Sequence, residues 1–558
     1  MKENQDQPRK GNALFSFRNL YPENTLARMS EKALLALLAI LILTVPLPFG
    51  SVSPFWLLSL EAGSALVFLI WFMRLMFLSD KKQLELFYKA QKTQGENARK
   101  LPLFSRRPYL AEVFRVLTLG RWPRKNPAEN IVEESLLNHS NQTDYFSLFR
   151  YPLRNSGLEK IGLAFLALVS LQLIPLPRPI MMFLSPAGAK YYETAAGLAG
   201  VQRSAFPISL NPYDTFSKLL EYCCYFMIYL VVVNTVARRS HRRFILISLL
   251  ISATFQASYG FYEFLSGHQH IFGFKKKIDT DCVTGSFINH NHFAAYLELS
   301  IPIMIGFWTI GIKAVRISGN SISARISSAL EDQGAKALLK TLLLILLGMG
   351  LLFSISRSGI LFGFISCTTF FVLYLRRSRS KIPAFYWISS LGVMIVLAAW
   401  IGLRPLIQDF MNVPEELTEE ISRPVVWKDT FIIFLKFTLT GSGFGTFKEV
   451  FPAFRSFSTN TVYSQAHNDY LQLLAEGGIF MLILILAGGL TILKRLRRVL
   501  SERMGETAVI HFACFSSLLA IALHSISDFS LQIPAIAVST AVVAAIYFSN
   551  ARGEYYAL

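Results

Sequence analysis

The stretch "LQLLAEGGIFMLILILAGGLTI", residues 471–492, holds one charge, Glu476, in a run long enough to cross about 30 Å of hydrocarbon as a helix. Polar residues precede it in "VYSQAHND" (462–469), and the basic "LKRLRRVL" (493–500) follows. A span wet at one end and cationic at the other has a direction. Runs like it recur along the chain.

By the same length rule about twelve spans are read, near 33–49, 54–78, 161–176, 216–236, 244–264, 292–312, 337–355, 358–375, 384–402, 471–492, 507–524 and 532–548. The 558 residues are 53% hydrophobic and only 16% charged, well under the roughly 25% of soluble domains. The expected fold is therefore an all-α polytopic membrane protein, with no room for a large soluble domain. The first run follows a long polar leader and ends in "VPLPFGSVSP" without a small-residue cleavage pattern, so it is expected to stay as a span.

The net charge of +19 would fit nucleic acid, so the placement of the cations decides its meaning. Lys2, Arg9, Lys10, Arg18 and Arg28 precede the first span; Arg238, Arg239, Arg242 and Arg243 follow the fourth; Arg376, Arg377, Arg379 and Lys381 follow the eighth; Lys494, Arg495, Arg497 and Arg498 follow the tenth. With the basic segment 79–160 these are alternate connections, which the positive-inside rule assigns to the cytoplasm. Both termini are then cytoplasmic, the charge is a topology signal, and no nucleic-acid partner is expected. The expected layout is a tail at 1–32, helices one and two over 33–78, a cytoplasmic loop at 79–160, helices three to nine over 161–402, a large outward loop at 403–470, helices ten to twelve over 471–548, and a tail at 549–558.

Five scattered cysteines, four of them in spans, spell neither a disulfide framework nor a zinc site. The "DTD" at Asp279–Asp281 and the pair His290 and His292 lack further ligands at a recognisable spacing, so no metal and no cofactor is expected. Within the large outward loop, "RPVVWKDTFIIFLKF" (423–437) reads as a helix lying in the interface, with Pro424 in its first turn. "GSGFGTF" (441–447) has dinucleotide-like glycine spacing without a βαβ context; its backbone amides are candidates to face an anion.

Ionisable residues inside spans are costly and mark function by default. Glu61, Glu221, Glu298 and Glu476 all fall in the outward halves of their spans, and the outward ends add "GSFINHNHF" (285–293), "SISRSG" (354–359), and "HSISDFSLQIP" (524–534). These converge on one wet cavity. Asn289, His290, Asn291, His292, Glu221, Glu298, His524 and Asp528 are its candidate substrate contacts, with Asn291 expected to cap the helix that follows. Asn468, Gln472 and Glu476 repeat at four-residue spacing and so share one helix face, expected to line the same cavity. Arg357, flanked by serines, and Arg423 are candidate guanidinium forks for a phosphate or carboxylate. His467 is either a general base or a histidine bonding a nearby carbonyl.

"GSFINHNHFAAYLELSIP", "SISRSG", "GSGFGTF" and "AHNDYLQLLAEGG", in that order over roughly 210–535, resemble the bacterial O-antigen ligase and Wzy-type polysaccharide polymerase superfamily. The resemblance implies an inner-membrane glycosyltransferase, metal-independent and inverting, acting at the periplasmic face on a glycan carried by undecaprenyl diphosphate. By position, Arg357 and Arg423 look like the diphosphate-binding arginines and His467 like the histidine that activates the acceptor hydroxyl. A ligase passes the glycan to lipid A core, and a polymerase passes it to a second carrier-linked repeat. The insertion at 79–160 departs from the compact family pattern and leaves the branch open; the ligase-related reading is taken first, because the arrangement of Arg357 and His467 resembles that branch. A lipid-linked glycan transporter is the rival of another class, but it wants polar residues near the midplane and inverted repeats, and neither is read here. Membrane lipids and envelope-assembly proteins complete the expected partners.

Overall fold

The computed structural model describes residues 25–77, 145–148, 151–154, 156–236, 238–314, 332–378 and 422–549. The helices, in chain order, are α1 (Thr25–Thr44), α2 (Pro54–Phe77), α3 (Leu158–Leu173), α4 (Arg178–Leu184), α5 (Pro186–Leu198), α6 (Pro212–Thr235), α7 (Arg239–Ser266) and α8 (His290–Ala314). They continue with α9 (Asp332–Phe353), α10 (Arg357–Arg377), α11 (Arg423–Lys436), α12 (Phe447–Val450), α13 (Asp469–Ser501), α14 (Glu506–His524) and α15 (Pro534–Phe548). Among the described residues, strands form three antiparallel pairs: β1 (Tyr145–Leu148) with β2 (Tyr151–Arg154), β3 (Leu176–Pro177) with β4 (Ala205–Phe206), and β5 (His270–Ile271) with β6 (Phe274–Lys275).

Among the described residues eight helices are long and apolar enough to cross a membrane: α2, α6, α7, α8, α9, α10, α13 and α14. This is a multi-pass membrane protein. Of the other expected spans, α1 lies over the first, while α3 lies over 161–176 but has only 16 residues. At 1.5 Å per residue it is about 24 Å long, short of the hydrocarbon thickness. Pro175, Pro177 and Pro179 follow closely and stop it. The last run, α15, is also shorter than a full span. The expected span at 384–402, residues 403–421 of the expected large loop, and the loop expected at 79–160 up to residue 155, apart from β1 and β2, lie outside the described residues.

The chain divides into two compact units, and the candidate site lies in the larger, Leu35–Phe68 with Ser156–Asn550. Its inner pair is α8 and α14, with 94% and 83% of their apolar windows buried against 22% for α2. The two pack on each other, α9 and α10 pack on α8, and α10 also packs on α14. Helices buried on every side are expected to be apolar all round, so the Glu298 and His524 that these two carry call for a reason.

The helix expected over 471–492 is not continuous. α13 breaks at Gly478, whose φ of 66° and ψ of −159° only glycine adopts readily. A Cβ there would lie 2.4 Å from the Leu439 carbonyl oxygen, and one on Gly441 would lie 2.1 Å from that of Glu476. The two backbones touch because both positions lack side chains. Ile479 N–H then bonds Thr438 O, and Gly443 N–H bonds Glu476 O. The glycine segment 441–445 is thereby locked onto the first two turns of α13.

Candidate active site

Asn468 caps α13, its side chain accepting from Leu471 N–H at 3.0 Å. His467 sits just before, in a left-handed conformation (φ 51°) that a non-glycine residue rarely takes. Its carbonyl accepts from Trp427 Nε1 of α11 at 3.1 Å, which holds the turn. Its Nδ1 lies 3.1 Å from Asp528 Oδ1. Nδ1 of the ring thus meets a carboxylate rather than the carbonyl of the alternative expectation, while the backbone carbonyl is anchored by Trp427.

Asp528 is fully buried in the turn after α14, its N–H bonded to His524 O. Burial alone would raise its carboxyl, but the hydrogen bond from His467 and the charges of His292, His524 and Arg423 outweigh it. The group is held well below the usual carboxylate range. The turn is fixed to α13 by Asp469, whose Oδ2 accepts from Ser525 Oγ (2.9 Å) and Leu531 N–H (3.0 Å) and whose own N–H bonds Ser525 O. Sequence reasoning misses Asp469, although an acidic residue in a first helical turn is a readable signal. It also misses Phe529, whose ring meets both His292 and His467 edge-on, at 4.7 and 4.8 Å.

The second wall comes from α8 and α10. Asn289, not Asn291, caps α8: its Oδ1 accepts from Asn291 N–H at 2.7 Å. Asn291 instead accepts from Ser356 Oγ at 2.6 Å, while the same hydroxyl accepts from Gly359 N–H and caps α10. The starts of α8 and α10 are therefore pinned together, and half-buried Arg357 is the first residue of α10. Gly359 allows the contact, since a Cβ there would come 2.6 Å from Ala294 Cβ and 3.1 Å from Glu298 Oε1. Deeper in, Glu298 Oε1 and His524 Nδ1 are 2.6 Å apart, both wholly buried. His292 Nε2 stands 3.9 Å from Asp528 Oδ2.

This cluster is incompletely bonded. Among the described residues, Glu298 Oε2, His524 Nε2, Asp528 Oδ2 and His292 Nε2 are buried without a hydrogen-bond partner. An unmet buried polar atom costs about 1–3 kcal/mol, so four of them around one cluster mark a place built for something polar. Arg423, exposed at the start of α11, gives Nη1 to Ser527 O at 2.9 Å and brings its charge to the same turn.

Other expected site residues lie elsewhere. His290 turns to the preceding loop, with Asp279 Oδ2 accepting from its N–H at 2.9 Å and lying 2.9 Å from its Nδ1. Glu221 is bonded instead to Lys218 Nζ (2.8 Å) and the Tyr225 hydroxyl (2.5 Å). Gln472 and Glu476 share a face as expected, yet that face is covered. Gln472 accepts from Ala466 N–H and donates to Gln465, and Glu476 Oε1 accepts from Phe447 N–H at 3.2 Å. The anion met by the glycine-rich loop is thus the chain's own Glu476. Gln172, a lone amide in the apolar run of α3, completes this cluster by donating to Thr440 O and Glu476 O and accepting from Phe444 N–H.

Residues 342–486 match a family model described as O-antigen ligase, Wzy_C. The matched stretch carries Arg357, Arg423 and His467; Glu298, His524 and Asp528 lie outside it. A comparison with curated proteins found no match. The family match supports the superfamily read from the motifs, and with it a glycosyltransferase-like activity in general.

Proposed function

We propose that this chain, a polytopic membrane protein of the O-antigen ligase superfamily, transfers a glycan from an undecaprenyl diphosphate carrier to an acceptor hydroxyl at the periplasmic face of the inner membrane. The observation that carries the reading is the contact of His467 Nδ1 with Asp528 Oδ1. When Nδ1–H donates to the carboxylate, Nε2 holds the lone pair and is the base. It takes the proton as the acceptor oxygen attacks the anomeric carbon and the bond from that carbon to the diphosphate breaks, with inversion. The electron pair leaves with the carrier diphosphate, whose growing charge Arg357 and Arg423 hold. Asp528 positions His467 and balances the imidazolium. The His524 and Glu298 pair behind it, with its unmet polar atoms, supports the reading as a polar backing for sugar hydroxyls or ordered water.

Purified protein in detergent with EDTA, given lipid diphosphate-linked repeats and either lipid A core or a second carrier-linked repeat, tests this. A single transfer to lipid A core is expected of a ligase. A ladder on the carrier would make the chain a Wzy-type polymerase of O-antigen, capsule or exopolysaccharide repeats. Folded protein that transfers to neither, yet moves lipid-linked glycan across vesicles, would replace the enzyme with a transporter.

A further inference from the structure

The connection from α7 to α8 carries a group for which glycan transfer has no use. α7 ends at Ser266 with Gly267 in a left-handed cap, and the chain turns back through β5 and β6, His270 opposite Lys275. Glu263, in the last turn of α7 and 2% exposed, faces His268 and His270. Its Oε2 accepts from His270 N–H at 2.8 Å and lies 3.0 Å from His268 Nδ1, with Oε1 at 3.3 Å. The two imidazoles stack with centroids 3.9 Å apart, and one ligand atom from each of the three residues lies within 4.8 Å of the others. Gln269, between the histidines, has φ 54° and a buried Oε1 without a partner.

We propose that Glu263, His268 and His270 bind one divalent transition-metal ion of the zinc class. A carboxylate with two imidazoles is a borderline donor set that suits zinc and its neighbours rather than magnesium or calcium. With metal–ligand bonds of about 2.0–2.1 Å, tetrahedral geometry puts neighbouring ligand atoms about 3.3 Å apart, a spacing Glu263 and His268 already have. Closure to bonding distance then asks a rotamer change of His270, whose Nδ1 now bonds His268 O. The outer support is present: Tyr259 Oη donates to His270 O, accepts from Phe272 N–H, and is stacked between Phe255 and Phe272. Lys276, within electrostatic reach of Glu263, is the cation that the metal competes with. The ion would clamp the hairpin to α7 and stiffen the connection that ends at Asn289. Metal binding at the hairpin is independent of glycan transfer and is read directly.

The full chain, purified in detergent and stripped with chelator, is titrated with zinc by calorimetry and loaded with cobalt for absorption spectra. One ion per chain is expected, with d–d bands and no thiolate charge-transfer band. Binding should weaken roughly tenfold or more in His268→Ala/His270→Ala and in Glu263→Gln, and the rise in Tm on adding zinc should vanish. Absence of stoichiometric binding, or unchanged binding in a folded double variant, would overturn the site. So would a thiolate band lost in Cys282→Ser, which would place the ion on the neighbouring group Asp279, Cys282 and His290.

Discussion

Two polar clusters border the first turns of α13, alike in residue type and opposite in bonding. Around Gln172, Gln472 and Glu476, carboxylate and amides are spent on the chain's own backbone, and none of the three has a buried polar atom without a partner. Around Asp528 four buried atoms lack one. A carboxylate in a membrane span thus has two readings that composition cannot separate. Where the bonds close within the protein the residue builds the scaffold; where several neighbouring ones stay open, the proposed site has polar atoms to offer.

His467→Ala breaks that comparison hardest. Loss of the base should slow transfer by about 10² to 10⁴-fold, measured as initial rate on protein with unchanged Tm and membrane insertion. Glu476→Gln, which keeps an oxygen for Phe447 N–H, should change the rate of the folded fraction little. If the folded Glu476→Gln protein is inactive, the closed cluster belongs to the site after all.

Asp528→Asn comes next, at about 10²-fold, because an amide can turn its NH₂ to Nδ1 and select the wrong tautomer. The same substitution tests the charge. The native carboxyl is held below its usual range, so its stabilisation is complete above the unfolded value, near pH 4, and is lost only as pH falls towards the native one. The Tm gap between wild type and Asp528→Asn should therefore be present in full above about pH 4 and shrink below it. A gap that grows with acid would mean that the Asp528 carboxyl is not stabilised as the anion in the folded protein.

Gly441→Ala probes the closed cluster alone. Its added Cβ meets the Glu476 carbonyl at a φ of 73°, so stability should fall by on the order of 2–3 kcal/mol, read as a lower Tm. The transfer rate per folded molecule should stay near wild type. A normal Tm with lost activity would reverse the roles of the two regions.

How much of this was legible follows from what each signal encodes. Apolar runs record length, so most spans could be read, but not that α8 and α14 are the inner pair, nor the break at Gly478, which depends on Leu439 and Gly441 approaching from another segment. The gathering of His292, Glu298, His467, His524 and Asp528 follows from their places at or near the outward ends that the sequence assigns to their spans. Which of the outward carboxylates faces a cavity was not legible. Gln172 bonds Glu476 across 304 residues of sequence, and no local pattern announces that. Asp469 carries a local signal, an acidic first turn, but its partners Ser525 and Leu531, which follow α14 in the chain, are announced by nothing local.

The smallest expected effect falls on Arg423, which stands between the two classes. One donor of its guanidinium is spent on Ser527 O, and the rest of the planar fork is available to a diphosphate. Lysine carries the same charge as a point with a tetrahedral donor set, so it can keep the carbonyl or reach the phosphate oxygens, but it reproduces no fork. Arg423→Lys should therefore cost roughly tenfold in kcat/KM, about 1.4 kcal/mol of transition-state binding. Its division is informative: a rise in KM for the lipid donor means the arginine holds the diphosphate throughout, while a fall in kcat alone means it acts on charge that appears as the sugar leaves. No change in either would return Arg423 to the scaffold, as a helix-start residue pinned to the Ser527 carbonyl, and leave Arg357 as the remaining proposed ligand of the diphosphate.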